Sequence, residues 1–118
     1  MSRLSSVLMV LDGILGVENF DTSLAEGVML LTPFAADADD EKTKAFVSTY
    51  KEKYGDVPNQ FAADAYDAIY VIKAAIEQAG ATPDMSVSDL GTALTGAMTS
   101  ISVDGLTGDG MTWQATGE

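Results

Sequence analysis

Apolar positions come in two rhythms along this chain. Val7 to Leu11 and Gly27 to Thr32 are short, unbroken apolar runs, the pattern of strands buried on both faces. Asp12-Gly13 punctuates the first run. Pro33 ends the second, because proline brings no N–H to a strand ladder. Between them, residues 14–26 mix apolar Ile14, Leu15, Val17 and Phe20 with polar Glu18, Asn19 and Asp21, which reads as a loop with a helical turn.

After Pro33 the period changes to that of a helix. Phe46, Val47, Tyr50 and Tyr54 share one face, so the pattern predicts a helix over 40–54. Acidic Asp39, Asp40 and Glu41 at its start and Lys51 and Lys53 at its end both suit the helix dipole. Gly55 supplies the stop. A second helix is predicted over 60–79, with Phe61, Ala65, Ala68, Ile69, Ile72, Ala75, Ile76 and Ala79 on the 3.6-residue repeat. Alanines at 62, 63 and 74 leave little of its circumference polar, and such a helix expects cover from more than one neighbour. Ser86 or Ser88 caps a third helix over 87–98, with Leu90, Ala93, Leu94 and Ala97 inward and Gly91 and Gly96 weakening it. Residues 101–113 carry two Asp-Gly pairs beside short β-prone runs and read as a strand or hairpin.

The 118 residues suffice for one compact domain, and 47% hydrophobic against 20% charged residues is a globular balance. Six Lys+Arg against 18 Asp+Glu give a net charge of −12. Such a surface repels phosphate backbones and anionic lipid, so no nucleic acid is expected as partner and no membrane insertion. No run approaches the length of a membrane span. The first residues, with one Arg and a short apolar run meeting Asp12, fit a strand better than a signal peptide. Without Cys there is no disulfide, thiolate nucleophile or thiolate metal site. Without His there is no imidazole base.

The acidic residues offer two kinds of chemistry, metal binding and acid–base transfer. The run Asp37-Ala38-Asp39-Asp40-Glu41 resembles a calcium loop only at first glance, since Lys42 and Ser48 stand where Gly and Glu are needed. Asp104 and Asp109 belong to Asp-Gly turns, where the carboxylate is wanted locally. No metal, cofactor or catalytic residue is expected. Asp64 and Asp67, three apart on the second helix, form the one carboxylate pair that could do acid–base work, and only if burial separated their pKa values. Tyr50, Tyr54, Tyr66 and Tyr70, at helical spacing, read as core or rim. Asp12 stands apart: it ends an apolar strand, where α/β folds place ligand groups, and it reads equally as a turn-former.

In order along the chain come Leu11-Asp12-Gly13, Ala25-Glu26-Gly27-Val28-Met29-Leu30-Leu31-Thr32-Pro33-Phe34, and Phe46-x-x-x-Tyr50-x-x-x-Tyr54-Gly55-x-x-Pro58. Ala63-x-Ala65-Tyr66-Asp67-Ala68 and Gly105-Leu106-Thr107-Gly108-x-Gly110-Met111-Thr112-Trp113 follow. Together these segments resemble the carboxyl-terminal part of a periplasmic-binding-protein-like type I protein, nearest to the branched-chain amino-acid-binding proteins of ABC importers. The resemblance implies two Rossmann-like lobes closing on a ligand, of which this chain resembles only the later third. By the same resemblance Asp12 would hold the ligand ammonium, a charge-assisted bond, and Phe61 would line the ligand side chain.

The fold expected is therefore α/β, a helix-rich fragment of that type I fold with about three helices and a few short strands. It would form one partial domain over 1–118. The function expected is that of a non-catalytic part of an extracellular or periplasmic solute-binding protein, whose partners would be an amino acid and an ABC permease. The alternatives are a self-associating fragment without ligand binding and, more remotely, a carboxylate enzyme using Asp64 and Asp67. A fragment cut across the lobes would expose a strand edge and an apolar helix face, so a homo-oligomer is expected.

Overall fold

The computed structural model describes residues 9–11, 19, 21–25 and 29–117. Two short strands, β1 (Met9–Leu11) and β2 (Met29–Leu31), pair in parallel with Met9 beside Met29 and Leu11 beside Leu31. Their carboxyl ends therefore lie side by side. Among the described residues between them, Thr22–Ala25 forms a 3₁₀ turn. Asp21 opens that turn, accepting hydrogen bonds from the backbone and hydroxyl of Ser23 at 3.0 and 2.7 Å.

Among the described residues three α-helices follow: α1 (Glu41–Tyr54), α2 (Gln60–Ala79) and α3 (Val87–Met98). Each begins on a side chain that satisfies an N–H the helix itself leaves without a partner. The Asp40 carboxylate accepts from Thr43 N–H at 2.8 Å, and that bond holds its pKa below the ordinary value. The Asn59 side chain accepts from Ala62 N–H at 3.1 Å. Ser86 accepts from Asp89 N–H at 3.1 Å and returns its hydroxyl to the Asp89 carboxylate at 2.7 Å. Gly55 and Gly80 end α1 and α2 in the left-handed conformation, with φ of 77° and 60°.

After α3 the chain makes one antiparallel bridge, Val103 to Met111, rather than a continuous hairpin. The two Asp-Gly turns use up the intervening residues. Gly105 N–H reaches the Gly108 carbonyl at 2.8 Å, and Asp104 accepts from Gly110 N–H at 2.6 Å.

The core is divided in two, and α2 contributes to both parts. Phe34, Val47 and Ala63 form one cluster, with Phe46 and Leu106 against it. Ala75, Ala97 and Ile101 form the other, with Leu94, Met98 and Trp113 packed around them. The repeat predicted for α2 is met at Ala75, which is buried, and at Ala79, which is half-buried, and is corrected at its other positions. The buried residues are Ala63, Asp67 and Ala75, whereas Phe61, Ala65, Ala68, Ile69, Ile72 and Ile76 are exposed. Small residues face inward because they let α3 and the tail approach closely, and the larger side chains are left on the opposite side. On α1 the predicted face holds at Val47, which is buried, and fails at Tyr54, which is exposed.

The chain is open for its length. Its radius of gyration is 19.0 Å, against about 13 to 14 Å for a compact domain of this size. It exposes 9026 Å², about 2,900 Å² more than a compact monomer of equal mass.

Candidate ligand-binding site

Two places on the molecule bring polar and aromatic groups together. The first lies where the strands end. The Thr32 hydroxyl, one residue beyond β2, sits 2.9 Å from Gln60 Oε1 and 2.8 Å from the Phe34 carbonyl. That contact ties the carboxyl end of the strand pair to the first turn of α2. Phe61 follows Gln60 and is 58% exposed, a large apolar residue on the first turn of α2 left uncovered by the described residues. Asp12, the residue after Leu11, lies outside the described residues.

The second is built around Asp67, which is buried on α2. Both its carboxylate oxygens lie 2.9 Å from Leu106 N–H, and Oδ2 also accepts from the backbone and hydroxyl of Thr107 at 2.8 and 2.7 Å. A buried carboxylate saturated by such donors is a strong, charge-assisted anchor. Gly105 is required for the approach, because a Cβ there would collide with the Asp67 carboxylate. Beside this clamp runs a groove of about 350 Å³ lined by Phe46, Thr49, Tyr66, Tyr70, Asp104 and Leu106. The Phe46 and Tyr66 rings are 5.0 Å apart, and the Tyr66 hydroxyl donates to that of Tyr70 at 3.2 Å. That bond, together with burial, pushes the Tyr66 phenol pKa up.

This geometry removes the case for an acid–base pair. Asp67 has its lone pairs committed to the 105–108 loop, while Asp64 stands exposed on the helix. The other acidic candidates have local uses. Asp40 caps α1, Asp39 pairs with Lys44 at 2.6 Å, Asp104 holds its turn, and Asp109 meets Lys42 at 3.0 Å. Among the described residues no group of three or more acidic side chains is placed to hold a metal ion. Among them, too, no helix is long and apolar enough to cross a membrane.

A family model for periplasmic binding proteins matches residues 13–118, nearly the whole chain. The chain belongs to the periplasmic binding protein family. Neither the curated proteins nor the solved structures contain a match to it. Membership implies a protein that binds a small solute in the periplasm, and this family is typically non-enzymatic. The match begins one residue after Asp12 and includes Phe61.

Of the two residues expected to touch ligand, the structure of this periplasmic binding protein places Phe61, on the first turn of α2. Reading the sequence for chemistry overlooked what Asp67 does. Its signal was present in two separate segments, Ala65-Tyr66-Asp67-Ala68 and Gly105-Leu106-Thr107-Gly108, whose interdependence only the fold reveals.

Proposed function

We propose that this chain is the part of an extracellular amino-acid-binding protein, of the branched-chain type, that presents Asp12 and Phe61 to the ligand and serves an ABC importer without catalysing any reaction. The observation that carries this reading is the junction at the strand ends. Leu11 and Leu31 are register partners, and Thr32 is bonded to Gln60. The residue following Leu11 in sequence is an aspartate, and the residue following Gln60 is an exposed phenylalanine. A carboxylate for an ammonium group and an aromatic ring for an aliphatic side chain are the two contacts that such a ligand needs.

Calorimetric titration with leucine, isoleucine and valine tests it. Saturable heat in the millimolar range is expected. Phe61→Ala should weaken binding about tenfold, ~1.4 kcal/mol, and Asp12→Asn by at least as much. Heat that ignores both substitutions would place the ligand elsewhere. No heat from any of the three ligands would sink the reading.

A second reading is favoured by the open shape: a self-associating chain whose exposed apolar surface is covered by further copies. The excess of about 2,900 Å² over a compact monomer supports it. Light scattering at rising concentration tests it, with a clean monomer throughout as the contrary result.

A further inference from the structure

We infer that the groove between α1 and α2 is a second binding site, one for a small quaternary ammonium ion. The inference stands apart from the strand-end reading, since Phe61 does not line this groove. The groove holds about 350 Å³, at the lower end of ligand pockets. Its wall is aromatic. The ring centroids of Phe46 and Tyr66 lie 5.0 Å apart and those of Tyr66 and Tyr70 4.8 Å apart. The flank of α2 that carries the two tyrosines continues at Lys73 and Glu77, which pair with each other at 2.6 Å. It is therefore a water-facing flank, unlike the isoleucine face, and Tyr66 and Tyr70 are exposed on it.

What the groove can hold follows from what its polar groups already do. The Thr49 hydroxyl donates to the Ala45 carbonyl at 2.9 Å, the Tyr66 hydroxyl to that of Tyr70 at 3.2 Å, and the Lys42 ammonium to Asp109 at 3.0 Å. Asp67 accepts from Leu106 and Thr107, and Asp104 accepts from Gly110 N–H at 2.6 Å. A sugar or an amide needs free hydrogen-bonding partners, and these groups are engaged within the protein.

Aromatic surface and charge remain. The lining holds two carboxylates, Asp67 and Asp104, while its ammonium, Lys42, is matched by Asp109. Asp67 is buried and all its donors are uncharged, and among the described residues no lysine pairs with it. An unbalanced negative charge beside an aromatic wall attracts a cation through its field and through the ring quadrupoles together. A quaternary ammonium carries that charge without any N–H of its own, so it suits a groove whose acceptors are occupied. The net charge of −12 favours the approach of a cation and disfavours an anion.

Titration with choline at constant ionic strength, followed by the ring-proton NMR signals of Tyr66 and Tyr70, tests the inference. Saturable shifts in the millimolar range are expected. The neutral isostere, with carbon in place of the quaternary nitrogen, should bind at least about threefold more weakly. Tyr66→Leu should weaken choline about threefold with helical circular dichroism unchanged, and Tyr66→Phe, which keeps the ring, should bind as the parent chain does. Lys42→Met, at an exposed position, removes a positive charge from the rim and should tighten binding about twofold. No shift with choline, or equal affinity for the neutral isostere, would overturn the inference. So would a folded Tyr66→Leu variant that binds as tightly as the parent. Should that variant not fold, Lys42→Met decides: tighter binding supports the groove, and unchanged or weaker binding overturns it.

Discussion

The two sides of α2 differ in the size of their side chains and are opposite in fate. The inner side is built from small residues, Ala63 and Ala75, with one buried carboxylate between them, and it is closed by the chain itself. The outer side carries the larger groups, Phe61, Ile69, Ile72 and Ile76, and stays open. A helix core is thus decided by what can approach as well as by how apolar a face is. Alanines admit the neighbouring helix and loop to close range, and Asp67 then fixes the loop by hydrogen bonds. The isoleucines offer more area to bury, and among the described residues that area stays uncovered.

Breaking the inner side should have the larger effects. Asp67→Ala leaves the N–H groups of Leu106 and Thr107 and the Thr107 hydroxyl without their acceptor, and should cost about 3 kcal/mol, read as a fall in the urea midpoint. Gly105→Ala drives a methyl into the same carboxylate and should cost about 2 kcal/mol by the same measurement. Asn59→Ala, which removes the cap that starts α2, should cost about 1 kcal/mol of thermal stability. On the outer side, Ile72→Asp should change the stability of the dissociated chain by no more than about 0.5 kcal/mol. If it cost as much as Asp67→Ala, the distinction between the two sides would fail.

The smallest effect is that of pH. Asp40 has its pKa lowered by the Thr43 N–H, so the folded chain releases this proton more readily than the unfolded one. Its contribution is present above the ordinary value of 3.8 and is lost as pH falls through the lower folded value. Acid titration followed by circular dichroism should show an acid transition that Asp40→Asn makes less steep.

The three helices were legible because their signals are local. Asp40, Asn59 and Ser86 are cap residues, Gly55 and Gly80 are stops, and the apolar repeat between them is strong. The inward face of α2 was not legible, since a 3.6-residue repeat says which residues share a side and not which side a neighbour will reach. With alanines at 62, 63, 74 and 75, two faces met the apolar test, and packing distance chose between them. The role of Asp67 was hidden for a different reason. Its partners lie 39 and 40 residues away, so spacing along α2 suggested Asp64 as its companion when the fold had already given it the 105–108 loop.

The central claim, that the chain closes one side of α2 and leaves the other open, is tested most directly by small-angle X-ray scattering, with mass taken from the forward scattering. The account predicts a radius of gyration of 19.0 Å or more, whether one or two copies are present. A monomeric mass with a radius near 13 to 14 Å, the compact value for this length, would mean that the chain folds back over its own isoleucines, and would contradict it.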